Sequence, residues 1–179
     1  MTMRIFFIDD KDHNYNKAKD AFKVIALNHD IKFYPNELSE FHNFGSMISK
    51  LIDSATIEEI NENYLTIKTY LDNLNIEAFI IDINLSFFSS KNPKKTKLAD
   101  TYGLKLASFL EWGNEYYGLE PLKNSKSKIY LLTSMPYNLS NFKETWNRLY
   151  MNRIVTEDDI NYLNIYKRIK DRIPDINQN

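Results

Sequence analysis

Ile5-Phe6-Phe7-Ile8-Asp9-Asp10 is a run of four apolar, β-prone residues closed abruptly by two acids. A strand buried on both faces reads this way, because helices covering both sides of a parallel sheet leave no solvent-facing position for a polar side chain. The same form recurs. Ile31-Lys32-Phe33-Tyr34 closes at Pro35, Ala78-Phe79-Ile80-Ile81 closes at Asp82, and Ile129-Tyr130-Leu131-Leu132 closes at Thr133-Ser134. A fifth, weaker strand is expected near Arg153-Ile154-Val155.

The segments between these runs carry helical spacing. Asp12 or Asn14 can cap a helix with Ala18, Phe22 and Ile25 on one face. Residues from about Leu38 to Leu74 read as helical in two pieces, with Ser54 or Thr56 capping the second and Ile60, Tyr64, Ile67 and Leu71 on its inner side. Residues 86–99 contain Pro93 and four lysines and read as a loop. From Asp100 the positions Leu104, Ala107, Phe109 and Leu110 resume a helix expected to reach about Tyr117, ended by Gly118 and Pro121. Trp112, Tyr116 and Tyr117 fall at helical spacing there and read as packing. Another helix is expected around Ser140 to Tyr150. A last one is expected from Thr156, with Asp158 and Asp159 in its first turn and Ile160, Leu163, Tyr166 and Ile169 buried. Strands alternating with helices predict an α/β fold with a doubly wound, five-stranded parallel sheet, because parallel neighbours need long right-handed crossovers. One domain over residues 1–179 is expected.

Composition removes several chemistries. The 179 residues include no cysteine, which excludes a thiolate nucleophile, an iron-sulfur cluster, a zinc ribbon and a disulfide. His13, His29 and His42 form no metal-ligating spacing. A net charge of -1 speaks against a chain devoted to nucleic-acid backbones. The cations Lys167, Arg168, Lys170 and Arg172 suit the end of the last helix better than a nucleic-acid patch. No early apolar run approaches a signal or membrane segment, so a cytoplasmic protein without a membrane partner is the expectation.

Three strands end in chemistry: Asp9-Asp10, Asp82 and Thr133-Ser134. In an open parallel sheet the binding crevice lies beyond the carboxyl ends of the strands. If strands one and three are neighbours, as in a 2-1-3-4-5 order, the three carboxylates converge. Such a cluster repels itself and is relieved by a hard divalent cation with oxygen ligands, for which magnesium is the natural occupant. The chemistry it suits is phosphoryl handling, with a carboxylate attacking phosphorus and Thr133 binding a phosphoryl oxygen. Each acid alone can equally be a helix cap or turn former.

Ile5-Phe6-Phe7-Ile8-Asp9-Asp10, Ile80-Ile81-Asp82-Ile83-Asn84-Leu85, Asp100-Thr101-Tyr102-Gly103-Leu104-Lys105-Leu106 and Leu131-Leu132-Thr133-Ser134 together resemble the signature segments of response-regulator receiver domains. The resemblance implies a flavodoxin-like fold, a magnesium site formed by Asp9, Asp10, Asp82 and the main-chain carbonyl of Asn84, phosphoryl acceptance by Asp82, and a switch hydroxyl at Thr133. It implies as partners a histidine kinase or phosphotransfer protein and a downstream protein target, in a two-component or phosphorelay system.

Two departures from that family stand beside the matches. The family's strand-five lysine has no counterpart: Thr156 occupies its place, and no lysine lies between Lys143 and Lys167. The chain is also longer than a receiver of about 120 residues. The surplus falls in the helical stretch of about 38–74 between strands two and three and in the loop of about 83–99, whose Lys91, Lys94, Lys95 and Lys97 suit an acidic or phosphorylated partner. The expected function is therefore a stand-alone receiver-like signalling protein, regulatory ahead of catalytic, with at most its own phosphorylation and dephosphorylation as chemistry. The alternatives are a pseudo-receiver that binds partners without phosphate and, behind it, a magnesium-dependent phosphatase or nuclease. The last is disfavoured because Asp9 and Asp10 are adjacent rather than separated by one residue.

Overall fold

The structure is a computed structural model and describes residues 2–85, 88, 102–123, 128–133, 154–156 and 161–171. The apolar runs form β1 (Met3–Ile8), β2 (Ile31–Tyr34), β3 (Ala78–Asp82) and β4 (Lys128–Thr133), with β5 at Ile154–Thr156. All pairings are parallel and the order across the sheet is β2-β1-β3-β4-β5. Between them run α1 (Asp12–Ile25), α2 (Leu38–Asp53), α3 (Ile57–Leu74) and α4 (Tyr102–Trp112), and α5 (Tyr162–Asp171) follows β5.

Alternation along the strands explains the unbroken apolar runs. Phe6, Ile8, Phe79, Ile81, Ile129 and Leu131 point to one side, where Phe44, Ile48 and Leu51 of α2, Ile67 and Leu71 of α3 and Leu106 and Leu110 of α4 cover them. Ile5, Phe7, Ile80, Tyr130 and Leu132 point to the other, under Tyr15, Ala18 and Phe22 of α1 and Ile165 and Ile169 of α5. With helices on both faces, all of β3 and residues 5–8 of β1 are buried, while Lys32 on the edge strand β2 stays exposed. A completely buried Phe6, Phe7, Phe79 or Ile80 stabilises the fold by roughly 1.5–3 kcal/mol.

The two helices between β2 and β3 are separated by a strong start signal. Thr56 caps α3: its hydroxyl accepts from the Glu59 amide at 3.1 Å, and the Glu59 carboxylate accepts from the Thr56 amide at 3.3 Å. Ser54, the alternative expected from sequence, instead closes α2. The left-handed residue Asn75 (φ 51°) ends α3 just before β3.

Four local expectations are corrected. Asp12 is the first residue of α1 and no side chain caps that helix from the Lys11 position. The helix from the 100s ends at Trp112, because Gly113 turns left-handed (φ 69°) and a 3-10 turn at Glu115–Tyr117 follows, closed by Gly118 at φ 66°. Trp112 and Tyr116 consequently do not pack together on one helix: they are 44% and 76% exposed, while Tyr117 alone lies against the core. At the other end, Thr156 belongs to β5 rather than opening the last helix, and α5 buries Ile165 where Leu163 was expected. The helix expected around 140–150, the lysines of the 83–99 loop, and Ser134, Asp158, Asp159 and Ile160 lie outside the described residues.

Candidate functional site

The sheet order decides the site. β1 and β3 are paired side by side, with Ile8 opposite Ile81, so the next residue on each chain, Asp9 and Asp82, meets the other at the carboxyl edge. Asp9, Asp10 and Asp82 each place a carboxylate oxygen within 4.8 Å of the other two. Asp9 and Asp82 are 2% and 1% exposed, whereas Asp10 is partly exposed and opens the cluster toward solvent.

Local hydrogen bonds hold the carboxylates in place. Asp9 Oδ1 accepts from the Lys11 amide at 2.8 Å, and Asp9 Oδ2 accepts from the Asn14 side-chain amide at 3.0 Å. Asp9 therefore ties the site to the start of α1. On the β3 side, Asp82 Oδ1 accepts from the Asn84 amide at 3.2 Å, closing a tight turn directly after the strand. That turn is braced from both flanks: the Ile83 amide donates to the Leu132 carbonyl at 2.9 Å, and the Ile83 carbonyl accepts from the Gly103 amide at 3.1 Å.

Burial sets the electrostatics. Loss of solvent is the largest influence on Asp9 and raises its pKa from 3.8 to about 7; the neighbouring Asp10 charge pushes the same way, against the Lys11 and Asn14 contacts and the Lys11 charge. Two unit charges 4.8 Å apart repel by about 3 kcal/mol at an effective dielectric near 20. The cluster is thus stable near neutral pH either with a proton on it or with a cation in it.

The donor set fits a hard divalent cation. It consists only of carboxylate oxygens, the ligand type that magnesium and calcium take and that softer metals do not prefer. Metal-oxygen bonds of about 2.1 Å for magnesium or about 2.4 Å for calcium keep ligand oxygens within roughly 4–5 Å of one another, a limit that the three carboxylates meet. Asp9, Asp10 and Asp82 are the side chains that would hold it. Asn84, expected to add its carbonyl, is connected to the cluster through its amide.

Of the remaining sequence expectations, Thr133 is the last residue of β4, 3% exposed, on the strand next to β3. Thr156 is its backbone partner on β5. The three acids are drawn from the ends of the neighbouring strands β1 and β3, Thr133 ends the next strand, and Thr156 stands where the sequence reading looked for a lysine. His13 sits exposed on α1.

Three contributors escaped the sequence reading. Asn14 was considered only as a cap, yet it bonds Asp9 from five residues away, a spacing that a helix starting at Asp12 brings back over the strand end. Lys11 acts through its main chain and its charge. Gly103 is the third, because a Cβ there would lie 1.9 Å from the Asp82 carbonyl oxygen. It lay inside the receiver-like segment 100–106, but that segment assigned it no role of its own.

No protein-family model matches the chain, and no curated protein matches it. Among solved structures, it is similar to the crystal structure of a response regulator receiver domain protein (CheY-like) from Methanospirillum hungatei JF-1. That similarity is at 12% identity over 96% of this chain and 93% of the other, with a TM-score of 0.41.

Proposed function

We propose that the chain is a receiver-like signalling protein that accepts a phosphoryl group on Asp82. The observation that carries the reading is the convergence of Asp9, Asp10 and Asp82 within 4.8 Å at the carboxyl edge of a parallel sheet, beside the end of the strand that bears Thr133. Asp9, Asp10, Asp82 and the Asn84 carbonyl would hold magnesium, which when bound neutralises phosphoryl oxygens. In the transfer, a carboxylate oxygen of Asp82 bonds to phosphorus as the phosphorus-nitrogen bond of a phosphohistidine donor breaks, and the leaving imidazole takes up a proton. Asp9 positions the neighbouring carboxylates from its anchorage on Lys11 and Asn14. The Thr133 hydroxyl would donate to a phosphoryl oxygen, a local change that a downstream protein then reads. The donor class is a histidine kinase or phosphotransfer protein.

Incubation with magnesium and acetyl phosphate tests this. A base-labile mass gain of one phosphoryl group is expected, absent in Asp82→Ala; an unmodified wild-type chain overturns the reading.

One observation favours a second reading. Thr156 stands on β5 where a receiver's lysine is expected, so the module can keep the acids yet signal through partner binding alone. Magnesium binding that depends on Asp10 and Asp82 favours the phosphorylated form, and its absence the pseudo-receiver.

A further inference from the structure

Away from the carboxylate cluster, the first turns of α3 and the segment that follows α4 are locked together. Asn61 donates from its side-chain amide to the Tyr117 and Gly118 carbonyls, each at 3.1 Å. One turn further on, the Tyr64 hydroxyl lies 2.7 Å from the Phe109 carbonyl and 2.8 Å from the Glu120 carbonyl. Helical spacing then fixes the neighbours of that joint. Ile57 and Leu65 stand four residues either side of Asn61 and share its stripe. Both face solvent, at 43% and 55% exposure, and Tyr116 beside the joint is 76% exposed. Inward-facing side chains of α3 are Tyr64, Ile67 and Leu71, so these apolar tips are surplus to the core.

The charge around the joint is mostly negative. Residues 57–65 contain Glu58, Glu59 and Glu62 and no lysine or arginine; residues 111–122 contain Glu111, Glu115 and Glu120 and again no lysine or arginine. These two stretches thus hold six glutamates in a chain whose net charge is only -1; the Lys105 ammonium, 5.5 Å from the centre of the Tyr117 ring, offsets part of that charge. Glu59 is occupied by the α3 cap, but Glu58, Glu62 and Glu115 are exposed beside the apolar tips. A surface of this kind repels nucleic acid and anionic lipid and attracts cationic chains. Exposed aromatic and aliphatic tips within it supply the water-excluding anchor contacts that charge alone lacks.

We infer that the joint between α3 and the 3-10 turn is a docking surface for a basic amphipathic segment of a partner protein, with Ile57, Leu65 and Tyr116 as apolar anchors and Glu58, Glu62 and Glu115 as the charged rim. The inference is independent of phosphorylation at Asp82.

Selection of short random peptides displayed on phage against the full chain, in magnesium-free buffer at low salt, tests it. Enriched peptides are expected to combine lysine or arginine with bulky apolar residues. Their synthetic, fluorescently labelled forms should lose at least about tenfold in affinity on a Leu65→Ser, Tyr116→Ser double variant. A triple variant Glu58→Gln, Glu62→Gln, Glu115→Gln should flatten the salt dependence. Because all five positions are exposed, circular dichroism of the variants should match wild type. Failure to enrich any peptide, enrichment of peptides without basic residues, or binding indifferent to both variants overturns the inference. So does sedimentation showing self-association that the double variant abolishes, which would make a second copy of this chain the occupant.

Discussion

Gly103 stands where any side chain would collide with the main chain of Asp82: a Cβ built there lies 1.9 Å from the Asp82 carbonyl oxygen and 2.8 Å from the Ile83 Cα. The start of α4 is thereby seated directly on the turn that carries the central carboxylate. Backbone rather than side chain forms both sides of this contact, so neither can swing away. Gly103→Ala is expected to cost about 3 kcal/mol or more in urea unfolding, the upper end of overpacking effects. Gly45→Ala is the comparison, since a Cβ there meets only the Phe88 ring, and the better helix propensity of alanine offsets part of the cost. Equal losses at the two positions would contradict the close-approach argument.

Asp9 links stability to pH. Its pKa lies near 7 in the folded chain against 3.8 for a free side chain, with burial the main cause. Between those values the folded chain holds a proton that the unfolded chain has released, so this group's contribution is full below about pH 4 and is lost as pH rises to about 7. In the presence of a chelator, the unfolding free energy from denaturant titrations should therefore fall across that window by an amount on the order of a few kcal/mol. Asp9→Asn should remove most of the slope. A wild-type profile that rises from pH 4 to pH 7, with no difference in Asp9→Asn, would refute the assignment.

Magnesium should act on the same quantity from the other side. Above pH 7 the three acids repel most, and a cation that binds only the folded state at a hundred times its dissociation constant adds about 2.7 kcal/mol. Thermal unfolding at pH 7.5 should shift upward with magnesium in the wild type, with little or no shift in Asp10→Asn or Asp82→Asn. An equal shift in all three proteins would place the ion elsewhere.

Tyr64 is buried and its phenol is pushed well above the ordinary range, chiefly by loss of solvent. Its single hydroxyl proton serves two carbonyls, Phe109 and Glu120, on either side of the turn after α4. Tyr64→Phe leaves the shape intact and removes the donor, at an expected cost of about 1–3 kcal/mol. Amide exchange should quicken at residues 113–122 more than in α3 itself. A uniform change across the chain would mean that the hydroxyl does not pin this segment.

The strands and the acids at their ends were legible because two-sided burial forces uninterrupted apolar runs and a polar residue marks where the run ends, as at Asp9, Asp82 and Thr133, which are themselves buried. The α3 start was legible for a similar reason: Thr56 and Glu59 form a reciprocal pair with fixed spacing. The end of α4 was not, since Gly113 and Gly118 both turn left-handed and composition alone does not say which one stops the helix. In the last helix Tyr166 and Ile169 are buried as expected, but assigning Thr156 to the helix rather than to β5 put Leu163 inside and left Ile165 unnamed. Within the site, Asn14 and Gly103 were hidden because their roles arise from approach between segments distant in sequence or folded back by a helix, for which spacing gives no sign.

Asp9 already accepts one hydrogen bond on each of its oxygens, from Lys11 and from Asn14, before any ligand is considered. The first turn of α1 and the pocket therefore draw on the same lone pairs. Any group that approaches Asp9 must share those acceptors with the helix start, and the Lys11 amide becomes an internal reporter. Its proton resonance should move whenever the pocket fills, empties or takes up a proton, giving a label-free spectroscopic signal from a residue that need not touch the ligand.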